Sequence, residues 1–469
     1  MRRYIDKYEM KIQLLFKSLF LIHLLFSINI LLVGTAVSKL VMVASVFVGF
    51  ILLITRLFDF KQILFSFEGA VLLVFMVSYV VSVILNIQYG YISGIKYFIW
   101  FSLLMGGVFW INRKNSRREV YREMLLLSIV LIVVTTITNI INIGLLLDKY
   151  NCFYPGADGN HYLMGFADWG RLYGIYTDPN YGAVISCAAV IAAVFCFFSV
   201  RKTVWKGLLA ISVIPNLFYC SFSASRTGKL ALMIGSAVIV FVYLLRKCGK
   251  MYLLKSAAAA VLVAVVAFGV FDGVQVGYNT IQYYLVEKEE SPSDKNNSEQ
   301  PGESEKPGVK PIGRTEEELQ GDISNRRFDI WKSGFNIFKK NPVFGIGWNN
   351  TVAYIQKNMP DSYMLGTVNN LADFDIFHNS FIDVFVFQGI FGGVIMIALM
   401  LYVLVLLIKK LISRKYEPWF FAMAVATVIL CVFSGCVLSV LVYFNNPISY
   451  LFWLCLGYVM YFCKTEEEI

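Results

Sequence analysis

Arg113-Lys114-Asn115-Ser116-Arg117-Arg118 stands shortly before an almost unbroken apolar run. That run opens Met124-Leu125-Leu126-Leu127-Ser128-Ile129-Val130-Leu131 and continues to Leu146. About 20 apolar residues is the length a helix needs to cross the hydrocarbon core of a bilayer. Lys and Arg in a short flanking loop hold that loop in the cytoplasm. This stretch therefore predicts both a membrane helix and its direction, and the same pattern recurs along the chain.

The chain has 469 residues, of which 58% are hydrophobic, too apolar for a soluble globular protein. The apolar runs are continuous, whereas a membrane barrel would show segments of about ten residues alternating in hydrophobicity. An all-α polytopic membrane protein is expected, since lipid tolerates only helices or closed barrels. Twelve spans are read. They run about Ile12–Val33, Ser38–Thr55, Glu68–Asn86, Lys96–Ile111, Met124–Leu146 and Tyr181–Val200, then a seventh ending at Ser223. Thr227–Arg246, Ser256–Asp272, Asn379–Ile408 and Trp419–Leu441 follow, with a last span ending near Cys463. The organisation is then helices 1–5 in residues 1–146, an external loop in 147–180 and helices 6–9 in 181–272. A large external loop occupies 273–378, and helices 10–12 with a short tail occupy 379–469. The first span is long and lacks a small-residue cleavage site, so a retained helix is expected rather than a signal peptide.

The net charge of +10 sits mostly in short loops, where it sets orientation and does not indicate nucleic acid. Most of the nine cysteines lie in or beside apolar runs and no CxxC or Cys/His spacing occurs, so neither a disulfide framework nor a zinc site is expected. Within the large loop, residues 287–321 are rich in Ser, Pro, Glu, Lys and Gly and hold no aromatic residue, which predicts disorder. After it, Phe328, Trp331, Phe335 and Phe338 recur at helical spacing. Residues 324–340 should form an amphipathic helix at the membrane interface, capped by Ser324 or Asn325.

Four basic features share the outer face under this topology: Arg171, Arg226, the pair Arg326-Arg327, and His378. An arginine or histidine at a membrane boundary is costly to desolvate and marks a candidate site. Each has a plain structural alternative. Arg226 could snorkel to headgroups, Arg171 could pair with Asp168 or Asp178, and one of Arg326 and Arg327 could anchor the helix to anionic lipid. A histidine beside an asparagine is often a satisfied interface residue, a reading that suits His23 and His161 better than His378. Arginine's planar fork matches diphosphate oxygens, and a neutral imidazole can take a proton from an attacking sugar hydroxyl. Asp373 and Asp375 are too little to argue a metal site. The set points to transfer from a lipid-linked diphosphate donor with arginines in place of a cation.

The ordered segments are Arg171-Leu172-Tyr173-Gly174 with Asp178-Pro179-Asn180, and Ser225-Arg226-Thr227-Gly228. Arg327 with Trp331, Asn341-Pro342 with Gly345 and Gly347, and His378-Asn379-Ser380-Phe381 with Gly389 and Gly392 complete them. Together they resemble the O-antigen polymerase/O-antigen ligase family of bacterial membrane glycosyltransferases, over roughly residues 165–395. The resemblance implies a GT-C-like helical fold in the bacterial cytoplasmic membrane, with the site on its external face. It implies metal-independent inverting transfer without a cofactor, from an oligosaccharide on undecaprenyl diphosphate. Arg226 and Arg327 would bind the diphosphate and His378 would be the base. Arg171, Arg326, Asn180, Trp331 and Asn379 would line the substrate cavity, with Arg327 preferred to Arg326 because Trp331 follows it by four. The growing glycan would be a further partner, and a flippase and a chain-length regulator are candidate protein partners. The motifs do not separate a polymerase from a ligase, and the polymerase is preferred. A transporter is disfavoured because the spans carry few charged residues.

Overall fold

The computed structural model describes residues 2–113, 115–247, 251–289, 311–312, 326–369 and 373–465. The predicted insert at 287–321 falls almost wholly outside the described residues, as do the expected caps Ser324 and Asn325.

The apolar runs form long helices: α1 (Arg2–Ser27), α2 (Ala36–Arg56), α3 (Phe67–Leu85) and α4 (Ile92–Leu103), the last extended by a π turn at Leu104–Phe109. They continue with α5 (Arg117–Leu147), α6 (Pro179–Ser199), α7 (Thr203–Phe222), α8 (Arg226–Lys247) and α9 (Tyr252–Glu289). Beyond the insert come α10 (Arg327–Lys340), α11 (Ser380–Ser413), α12 (Pro418–Gly435) and α13 (Pro447–Lys464). Among the described residues, 11 helices are long and apolar enough to cross a membrane. The twelfth expected span, α13, is not among them. Three tyrosines, Trp453 and Lys464 dilute its apolar character, and nearly every residue is buried against other helices rather than offered to lipid. The large loop was expected to start at Gly273. Helix α9 instead runs on to Glu289.

Charges within the helices are more numerous than the apolar runs suggested, and they are paired. Buried Lys17 of α1 meets Glu123 of α5 at 2.6 Å, and Glu123 also accepts from Gln13 and from the Tyr458 hydroxyl of α13. Arg56 of α2 bonds Gln13 at 2.7 Å and pairs with Glu9. Its Nε reaches the Gly106 carbonyl, within the π turn, at 3.3 Å. An ion taken out of water is tolerable only with such complete satisfaction. Here the network clamps α1, α2, α5 and α13 together, and the sparse-charge argument against a transporter no longer holds as stated.

The two ends of the bundle differ. At one, Glu68 bridges Arg113 and Lys464, and Arg117 and Lys410 donate to the Thr465 carbonyl. At the other, the stretch expected as a plain loop folds into a three-stranded antiparallel sheet. Its strands are β1 (Asn151–Pro155), β2 (His161–Ala167) and β3 (Arg171–Gly174). Strand β1 alternates exposed and half-buried residues, as a strand lying on a surface does. The register shifts between Gly165 and Phe166, and Gly165 has φ +93. The sheet is anchored from below, because Asn142 of α5 accepts from the Ile175 N–H at 2.8 Å. Asn142 is held by Asn139, which bonds Ser186 and Asn216 in α6 and α7.

Helix α11 breaks at Gly389, whose φ is +64 and ψ −158. The freed backbone is taken up by the segment after α10. Ile346 and Gly347 donate to the carbonyls of Val386 and Phe387, and Ile390 donates to that of Pro342, at 2.8–3.0 Å. The backbones approach so closely that a Cβ on Gly345 would lie 2.3 Å from the Val386 oxygen. One on Gly389 would lie 2.3 Å from the Val343 oxygen. The glycines at 345, 347 and 389 thus build one junction.

Candidate functional site

Helix α6 starts at Asp178-Pro179, an N-cap followed by a proline at the first helical position. The Asp178 carboxylate accepts from the N–H groups of Asn180 (2.7 Å) and Tyr181 (3.3 Å). Asn180 Oδ1 then receives two donors, Arg171 Nη2 at 3.2 Å and Ser225 Oγ at 2.9 Å. Arg171 Nε donates to the Ser223 carbonyl at 2.9 Å. Ser225 also accepts from the Gly228 N–H. Gly228 is needed for close packing, since a Cβ there would lie 2.6 Å from that of Ala183 in α6. Arg226, at the first position of α8, is held half-buried beside this knot.

The opposite wall is α10. Its buried face is Ile330, Ser333, Gly334 and Ile337, not the predicted aromatic stripe. Phe328 and Phe335 are 66% and 54% exposed and face outward. Small residues let the helix approach the bundle, leaving large aromatics free for the membrane interface. Trp331 is half-buried and donates from Nε1 to the Phe377 carbonyl at 2.9 Å, fixing the backbone just before His378. Asn379 caps α11 and donates to the Cys436 carbonyl at 2.8 Å, while Ser380 bonds the same 436–446 turn. The 260 Å³ cleft between α10 and α11, lined by Trp331, Phe335, Phe338, Ile382 and Phe385, is almost wholly apolar.

Arg327, the first residue of α10, is half-buried. Burial lowers its pKa from the usual arginine value. Asp178 opposes that shift, and Arg226 and Arg171 add to it. His378 is also half-buried and titrates below the ordinary imidazole value, through burial first and then Arg327, again opposed by Asp178. The fold therefore brings Arg327 within electrostatic reach of Arg171, Arg226 and the Asp178 carboxylate, and His378 within reach of Arg327 and Asp178. Arg326 does not join them. It is exposed, with Nη1 3.4 Å from the Tyr363 hydroxyl. Sequence reasoning treated Asp178 only as a possible partner of Arg171. Its Asp-Pro capping signature was the available clue to a fixed carboxylate.

Backbone strain clusters here. Ala224, Arg326 and His378 have φ +49, +63 and +48, and they lie at or within two residues of the three central basic groups. Non-glycine residues in this region persist only where the surroundings hold them, commonly at functional sites. Among the described residues, no three His, Cys, Asp or Glu side chains gather in a way that could hold a metal ion.

The fold defines a multi-pass helical membrane protein with a group of basic residues gathered at one end of its bundle. Residues 211–397, about two fifths of the chain, are similar to the family model for O-antigen ligase. The match takes in Arg226, Arg327 and His378, whereas Arg171 and Asn180 precede it. No curated protein matches the chain.

Proposed function

We propose that the chain is a polysaccharide polymerase that joins undecaprenyl-diphosphate-linked repeat units at the outer face of the cytoplasmic membrane. The observation that supports this reading is the grouping of Arg171, Arg226 and Asp178 around Arg327, with Arg327 in turn acting on His378. The adjacent apolar cleft would receive the start of the polyprenyl chain, as lipid-facing grooves do. Arg226 and Arg327 would hold the diphosphate, whose charge grows as it leaves. His378, neutral because its pKa is depressed, would take the proton from the acceptor hydroxyl. The hydroxyl oxygen attacks the anomeric carbon on the face opposite the diphosphate, the carbon–oxygen bond to phosphate breaks, and undecaprenyl diphosphate departs. Configuration inverts in a single displacement that uses no cofactor. A polar groove of about 460 Å³ on the outer side of α10, lined by Asp329, Lys332, Asn336, Asp361 and Tyr363, offers room for the growing glycan.

A second reading, transfer of the finished glycan to lipid A core or another acceptor, is favoured by the description of the matched family. The test is the glycan profile of a deletion strain, separated by length, with the lipid-linked fraction extracted. Accumulated single repeats without long chains support the polymerase. Long chains retained on the lipid carrier support the ligase, and an unchanged profile overturns both.

A further inference from the structure

A second cavity, of about 220 Å³, lies on the same end of the bundle but outside the arginine cluster. It is formed by α4, the loop at Trp348 and the turn Val442–Asn445. Its walls are aromatic. Trp348 stacks on Tyr443 at 5.5 Å and 11°, and meets Phe444 edge-on at 4.7 Å. Tyr97 and Trp100 of α4 close the other side. The tyrosine hydroxyls are spent on the fold, Tyr97 on the Val442 carbonyl and Tyr443 on Gln388. Asn349 is spent on Ser93. Lys96 Nζ, Trp348 Nε1 and the Asn445 amide are lining groups that no hydrogen bond occupies among the described residues.

This chemistry is specific. Apolar walls with a few free donors at the rim suit a ligand with apolar faces and polar edges, and a pyranose ring presents both. The volume is below the roughly 300–1,000 Å³ that enclose drug-sized ligands, so it fits one sugar rather than a chain. A lysine among the free donors selects a negatively charged one. The turn that builds the cavity is also tied to the reacting centre, since Val440 and Leu441 donate to Ser380 Oγ and Asn379 bonds Cys436. The turn that lines the cavity is thus joined to the residues that directly follow His378.

We propose that this cavity is a glycan subsite that holds an acidic sugar, a uronate or similarly charged residue, of the acceptor and presents the acceptor hydroxyl to His378. The assignment rests on the glycosyl-transfer reading above. A headgroup site for anionic lipid is the competing occupant. The indole N–H and amide beside the aromatic rings favour the sugar, because a headgroup needs only the lysine.

The test uses the full chain in nanodiscs, first of phosphatidylcholine and then with phosphatidylglycerol added. The probes are a glucuronate-containing tetrasaccharide and its carboxyl-reduced counterpart, with binding measured by calorimetry. Wild type should prefer the acidic probe by about two- to fivefold, the range of a partly exposed ion pair. Lys96→Ala should erase the preference, and Asn445→Ala should weaken both probes. In a transfer assay both variants should raise the acceptor KM and leave kcat near wild type. Equal binding of both probes to wild type, or unaltered binding in both variants, overturns the subsite. Displacement of the acidic probe by phosphatidylglycerol at low mole fraction assigns the cavity to lipid instead. If wild type transfers no glycan at all, the underlying functional reading fails, and the binding result still decides the cavity.

Discussion

Arg171 Nε donates to the main-chain carbonyl of Ser223 at 2.9 Å, joining strand β3 to the turn that launches Arg226. A second bond runs from its Nη2 to Asn180. Arg171 thus ties β3 to the turns that precede α6 and α8.

Arg171→Lys keeps the charge but cannot make both bonds with one ammonium. Losing a hydrogen bond from a charged group costs about 1.5–3 kcal/mol. If that cost falls on the transition state, transfer drops roughly 10- to 100-fold at about 1.4 kcal/mol per decade. Rates measured in reconstituted membranes check this. Wild-type activity would show that the two-point contact does not set the site.

Arg226→Lys asks a different question, because a lysine can supply the charge at that position without a planar fork. Under the proposed mechanism activity falls, and the loss is greater for kcat than for donor binding if the charge develops on the leaving diphosphate. Full activity would mean that a point charge suffices.

Under the proposed mechanism His378 is the neutral base, and burial and Arg327 depress its pKa. The active form is lost as pH falls through that depressed value, so the acid limb of kcat should lie below the ordinary imidazole pKa of about 6.5. Asp178 pulls in the opposite direction. Asp178→Asn keeps a capping side chain on α6 and should move the limb to still lower pH. His378→Ala should abolish transfer while the protein inserts normally. Polymer at wild-type levels in that variant removes His378 from the site.

Gly389→Ala places a methyl 2.3 Å from the Val343 carbonyl oxygen at φ +64. The expected result is a loss of a few kcal/mol of stability, read as a lower melting temperature in detergent. Gly345→Ala meets the Val386 oxygen at the same distance and should behave alike. Normal melting of either variant would show that the junction can relax.

Lys17→Ala leaves Glu123 buried without its cation, which should destabilise the bundle by about 3–5 kcal/mol. The double change Lys17→Met with Glu123→Leu removes both charges and should recover most of the loss. If the double variant melts normally but its transfer activity disappears, the pair has a role beyond holding helices.

Much of this architecture is legible in the sequence because a bilayer imposes a simple rule. A long apolar run such as Met124–Leu146 must be a helix, and basic loops such as 113–118 choose its direction. The basic residues that meet in the structure also stand out, because arginine at a membrane boundary is unusual. Tertiary structure decided the rest. The aromatic stripe of α10 has helical spacing, yet only packing could reveal that Ile330 and Ile337 face the bundle while Phe328 and Phe335 face out. The sheet at residues 151–174 is short, glycine-rich and anchored by Asn142 from another helix, so no local pattern announced it. Arg326 and Arg327 are chemically identical neighbours, and the left-handed turn at Arg326 is what sends one to the charged cluster and the other to Tyr363. The buried charges of α1 escaped notice for the same reason. Hydropathy registers Lys17 and Glu123 one at a time, whereas their stability depends on being 2.6 Å apart across 106 residues of chain.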